Sequence, residues 1–219
     1  LAWKSKFSET SSTALRSGAI YYPPFIKDTH LIETSGAIAG VFAEFEKSGF
    51  WKSPAGVNAR LRGVDQLLTN LTPQQEELLT QEGINTLKIV SGRGLLVWGA
   101  RTLAGDSHSA DEYKYISVAR TALALHKSII ASLAPALKNS TLTDSVQKII
   151  GELIENFLYD LHLKKAFAGM TPQQSFFVKN EISLPDRKRG LLNLYLGFAP
   201  LRSQEFIVLP IQLKTKPSQ

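Results

Sequence analysis

The chain has 219 residues, 43% of them hydrophobic, which is enough for one substantial core and too apolar for an intrinsically disordered segment. It contains no cysteine, which excludes a disulfide framework, a thiolate metal site and a thiol nucleophile. Most of the net charge of +6 falls in residues 111–219, where 14 basic residues face 9 acidic ones. That bias favours an acidic partner surface. The cations are not interleaved with aromatics as in a single-strand binder, so direct contact with nucleic acid is not expected.

No apolar run is read as approaching the roughly 20 residues of a bilayer span, and Leu1 to Gly18 lacks the apolar centre of a signal peptide. The expectation is a cytoplasmic product without membrane insertion. Residues 1–18 are polar and read as a linker or the end of an upstream element. Ala19 to Ile26 reads as a short strand that Pro23 and Pro24 must end or confine to an edge. From Ser35-Gly36 a helix is predicted, with Ile38, Val41, Phe42 and Phe45 at helical spacing and Gly49 as its stop. Leu61 to Val64 is a candidate short strand. Thr72-Pro73 followed by Glu76 and Glu77 is a helix start, with a capping hydroxyl, a proline in the first turn and acids near the positive end of the dipole.

Gly83 to Leu103 gives the clearest signal in the chain. Leu87, Ile89, Leu95 and Val97 alternate on either side of Ser91-Gly92-Arg93-Gly94, which predicts a hairpin with a buried face. Trp98-Gly99 then breaks the alternation, and the missing side chain predicts a backbone or ring passing close to Gly99. Beyond a polar loop, Tyr113 to Leu133 is predicted helical, with Ile116, Leu123, Ile129, Ile130 and Leu133 inward and Pro135 closing it. Asp144 to Phe167 follows as a second long helix whose stripe includes Val146, Ile149, Ile150, Leu153, Phe157, Leu158 and Leu161. Ser175 to Ile182, Leu191 to Phe198 and Glu205 to Leu213 read as strands. The fold class is therefore α+β, a mixed sheet packed with two long helices.

The residues gather little chemistry. His30, His108, His126 and His162 show no pair at metal-ligand spacing. Asp106-Ser107-His108 holds the three residue types of a hydrolase triad, but chain neighbours do not easily adopt its head-to-tail geometry. Gly92-Arg93-Gly94 is followed by neither Gly-Lys-Ser/Thr nor a helix, so it is a turn and not a phosphate loop. Neither a cofactor nor catalysis is expected.

Six blocks in fixed order carry a family likeness: Ala19 to Ile26, Ser35 to Ala43, Gly49 to Ala55, the hairpin from Gly83 to Leu103, and, after the helices, Gly169 to Val178 and Gly197 to Val208. Together they resemble the conserved C-terminal portion of the contractile tail-sheath family, found in phage tails, R-type pyocins and antifeeding-prophage-like injection particles. The resemblance implies a structural subunit that polymerises as a helical cylinder around an inner tube and contracts. Its partners would be copies of itself, the tube protein, and baseplate and terminator proteins, assembled in the bacterial cytoplasm and carried in a tail or released particle.

The resemblance also implies that 19–219 form the sheath-type domain and that 197–219 serve as a C-terminal strand or arm, completing sheets between subunits through Glu205, Phe206, Ile207, Val208, Leu209, Ile211 and Leu213. Lys164 and Lys165 are the candidates to face the tube. The alternatives are a non-contracting cap or adaptor with the same fold, and an enzyme whose site is unrecognised.

Overall fold

The computed structural model of the chain describes residues 12–64, 66–105, 111–138, 141, 143–181, 186, 189–201 and 207–214. It divides into two compact units, Leu1–Thr121 and Ala122–Gln219. The α+β class holds, with the strands among the described residues distributed over three three-stranded sheets and not gathered in one.

The first unit contains helix α1 (Ser12–Ser17), strands β1 (Tyr21–Tyr22), β2 (Phe25–Lys27) and β3 (His30–Ile32), helix α2 (Thr34–Glu46), β4 (Gln66–Leu67), α3 (Pro73–Gln81) and the hairpin strands β5 (Asn85–Val90) and β6 (Gly94–Val97). The predicted strand over 19–26 is split in two by Pro23-Pro24. Its first half pairs parallel with β5, and its second half joins the antiparallel sheet β3-β2-β4. The strand anticipated at Leu61 to Val64 is displaced to Gln66–Leu67, while Leu61 only donates its N–H to Leu95. Helix α3 carries the predicted cap in full: the Thr72 hydroxyl accepts from the Gln75 N–H, and the Gln75 side chain accepts from the Thr72 N–H.

The hairpin forms in the expected register, with Leu87 opposite Val97 and Ile89 opposite Leu95. Gly92 and Gly94 take the positive φ values, 73° and 83°, that its turn requires. Leu87, Leu95 and Val97 pack against Phe25, Ile38 and Val41 in the core of this unit. Ile89 departs from expectation: it shares their face but lies at the hairpin tip, beyond the reach of that core, and is 50% exposed.

Gly99 is where a second backbone approaches, as expected, and the neighbour is Asn85: an added Cβ would sit 2.7 Å from the Asn85 Cα. Asn85 is fully buried. Its Nδ2 donates to the carbonyls of Ile20 and Arg101 at 3.0 and 2.8 Å, and its Oδ1 accepts from the Arg101 N–H at 2.6 Å. One amide thus joins three chain segments. Residues 12–18 are likewise attached: Arg16 pairs with Asp111 at 2.8 Å and stacks on Tyr113, and Leu103 donates its N–H to Gly18.

Helix α4 (Ile116–Leu137) runs from this unit into the second. Pro135 lies inside it, a correction to the predicted end: the helix forgoes the bond to the Ala131 carbonyl there and still runs to Leu137. Ile116, Val118, Ala122, Leu125, Ile129, Leu133 and Leu137 form its buried ridge, and Leu123 points outward. The stretch Ile116–Pro135, with a mean hydropathy of 1.2, is long and apolar enough to cross a membrane, which corrects the reading that no run comes near that length. Arg120 and Lys127 interrupt it.

In the second unit, α5 (Asp144–Leu163) is capped by Thr143 and buries Ile150, Ile154, Leu158 and Leu161. Ile149 and Leu153, expected on the same stripe, are more than half exposed, because the buried ridge follows 150, 154, 158 and 161 and leaves them on its flank. A one-turn helix, α6 (Pro172–Ser175), leads into the antiparallel sheet of β7 (Phe176–Glu181), β8 (Leu191–Phe198) and β9 (Ile207–Lys214).

Candidate assembly surfaces

The C-terminal sheet is specified by alternation. Leu192, Leu194, Leu196 and Phe198 of β8 face inward, and their register partners on β9 include Ile211 and Leu209, both buried. Phe167 closes this layer, 5.8 Å from the Phe198 ring centroid and 6.3 Å from that of Phe176. Helix α5 comes close to β7 at Gly151, where an added Cβ would stand 3.0 Å from Asn180 Nδ2. On the opposite face the Phe177 ring lies directly over Gly197.

Strand β9 pairs with β8 from Ile207 to Lys214 within its own chain. Of the residues proposed from the sequence for the connection between subunits, Leu209 and Ile211 fill this inner layer, Ile207, Val208 and Leu213 supply backbone to the strand, and Glu205 and Phe206 lie outside the described residues. Among the described residues no strand pairs with the outer edge of β9 or of β7. Pro210 has no N–H and so fits β9 where that group would point away from β8. By the two-residue period, Val208 and Gln212 direct their backbone polar groups to the same open edge.

Lys164 and Lys165 are both exposed at the end of α5, with Lys164 in the capping position and Lys165 at φ 58°. Cations there complement the negative end of the helix dipole. Beside them, His162 Nδ1 is 2.8 Å from Ser175 Oγ, a contact not foreseen from sequence. The buried Ser175 hydroxyl also lies 3.0 Å from the Thr171 carbonyl and 3.5 Å from that of Gly169, both able to accept its proton. These contacts brace the Gly169 to Ser175 turn against the end of α5. Asp106, Ser107 and His108 lie outside the described residues, and among the described residues no group of three or more His, Asp or Glu is placed to hold a metal ion.

The hairpin presents two unlike faces. On one, Lys88 reaches Glu76 of α3 at 2.6 Å. On the other, Ile89 and Leu95 border a cleft of about 440 Å³ with Arg60, Arg62 and Val64. Arg62 is 3.6 Å from Glu44, and Arg60 lies across Gly94 with no hydrogen bond or ion pair among the described residues. Sequence alternation hid this site, since it placed Ile89 in the core.

Residues 4–103 match the family model of the phage tail sheath protein central domain. Over 100 residues the chain is 32% identical to the tail sheath protein of Vibrio phage KVP40, covering 45% of this chain and 14% of that one. Its fold is similar to a chain of the anti-feeding prophage baseplate, with TM-score 0.77 and 30% identity over 92% of this chain and 54% of the other. It is also similar to the anti-feeding prophage helical sheath in its contracted state, with TM-score 0.73 and 31% identity over 87% and 54%. The fold is therefore that of the contractile-sheath proteins it matches. Residues 4–103 are thus similar to the phage tail sheath central domain, and the chain spans about half the length of the solved chains it matches.

Proposed function

We propose that the chain acts within a contractile sheath, polymerising with copies of itself around an inner tube and driving that tube forward when the cylinder contracts. The observation that carries this reading is the outer edge of β9, with which no strand pairs among the described residues, on a sheet whose inner face is already filled. Such an edge accepts a strand from a neighbour, each backbone hydrogen bond contributing about 1 kcal/mol net. A contact between unlike surfaces repeats without closing and builds a helical polymer. Lys164 and Lys165 offer exposed charge for an acidic tube surface. Contraction of a metastable polymer needs no nucleotide, so the subunit works mechanically and not as an enzyme.

The test is Gln212→Pro, which removes an outward N–H and the Gln212 side-chain bond to Asn193 but leaves the inward groups that pair with β8. Expected are an unchanged fold by circular dichroism and loss of most sedimenting polymer; wild-type assembly by this variant would refute the role of the edge. The second reading, a cap or adaptor that keeps the fold, is favoured by the likeness to a baseplate chain. It predicts discrete closed complexes that stop sheath growth.

A further inference from the structure

We propose that the cleft beside the hairpin tip is a docking site for helix α3 of a second copy of this chain, giving a head-to-tail contact separate from the C-terminal sheet. The inference rests on the polymer reading above and adds a specific interface to it.

The cleft has an apolar floor, made by the half-exposed Ile89 with Val64 and Leu95, and a cationic rim from Arg60 and Arg62. The Arg60 guanidinium has no carboxylate partner among the described residues, and Arg62 holds Glu44 only at 3.6 Å with both side chains largely exposed. A fitting occupant therefore presents an apolar side chain flanked by acid on a convex, amphipathic element. Helix α3 has those properties. None of its residues is buried, Leu78 is 62% exposed, and Glu77 beside it is exposed with the neutral Gln81 amide as its partner among the described residues. Gln74, Leu78 and Gln81 share a face at steps of four and three, and Glu77 borders it.

The geometry also fixes the kind of assembly. Helix α3 attaches to the hairpin through Lys88, and the cleft opens beside Ile89; adjacent residues of a strand point to opposite faces. Donor helix and acceptor cleft thus lie on opposite sides of one hairpin, so one copy cannot join them within itself. The contact is heterologous and propagates. Leu78 would rest on Ile89, while Glu77 pairs with the arginines at the rim.

The absence of cysteine makes the test clean. The chain carrying both Leu78→Cys and Ile89→Cys is assembled, oxidised and run without reductant. A head-to-tail contact gives a ladder of covalent multimers, whereas either single variant stops at dimers. In parallel, Arg60→Glu with Arg62→Glu should reduce the ladder by roughly tenfold or more, and adding Glu77→Arg to the same chain should restore it. Cylinders that form normally without a ladder, or with a ladder indifferent to the charge reversal, overturn this interface and leave the sheath reading standing. Failure of the unmodified chain to polymerise under any condition overturns both. Both cysteine positions are exposed in the single chain, so the substitutions do not strip its core.

Discussion

At the scale of single residues, Asn85 is the most constrained position. Its side chain pairs with two carbonyls and one N–H in a site without water access. Asn85→Asp keeps the shape but sets a carboxylate against two acceptors, and should cost about 3 kcal/mol or more, read by urea denaturation. Asn85→Ser, which shortens the reach without adding charge, should cost less. A second expectation concerns Tyr21. Burial pushes its phenol far above the ordinary range, an effect that nearby Arg120 only partly offsets. The unfolded phenol ionises near pH 10, so the Tyr21 contribution is fully present below about pH 10 and is lost as pH rises beyond it. Tyr21→Phe should flatten that alkaline loss in melting experiments, and ultraviolet titration of the folded wild type should show at least one tyrosine ionising late. Gly99 announced a close approach in the sequence, but not its partner: the 14-residue separation from Asn85 is bridged only once the hairpin has formed.

At the scale of elements, local signals were legible where they act locally. The Thr72 cap, the Gly92-Arg93-Gly94 turn and the three C-terminal strands follow from residue type and period alone. What could not be read was the boundary of each buried ridge. Ile149 and Leu153 are as apolar as Ile150 and Ile154, and their exposure is decided by where α5 meets its neighbours. Ile89 keeps perfect alternation yet outruns its core. The same reasoning gives a prediction for α3, which buries no side chain fully and depends on its cap and on the Lys88–Glu76 pair. Thr72→Ala should weaken it by about 1 kcal/mol, seen as faster amide exchange over residues 73–81 with little change in the melting of the rest of the unit.

At the scale of the whole molecule, the sheath likeness is legible in the order of the family blocks along the chain, whereas the contacts between copies depend on surfaces that no periodicity describes. The C-terminal strand illustrates the gap: its Leu209 and Ile211 side chains are used within its own sheet, and the outward backbone is what the proposal leaves for a neighbour. A sheath built in this way requires that another copy fill that backbone edge within a helical cylinder. The decisive experiment is cryo-electron microscopy of the protein expressed with the inner-tube protein that the proposal requires. The predicted result is a hollow helical assembly with an additional strand, traceable to a neighbouring copy, hydrogen-bonded along Val208 to Gln212. A well-resolved cylinder in which the outer edge of β9 faces only solvent, or a closed ring or monomer under all conditions, would contradict it.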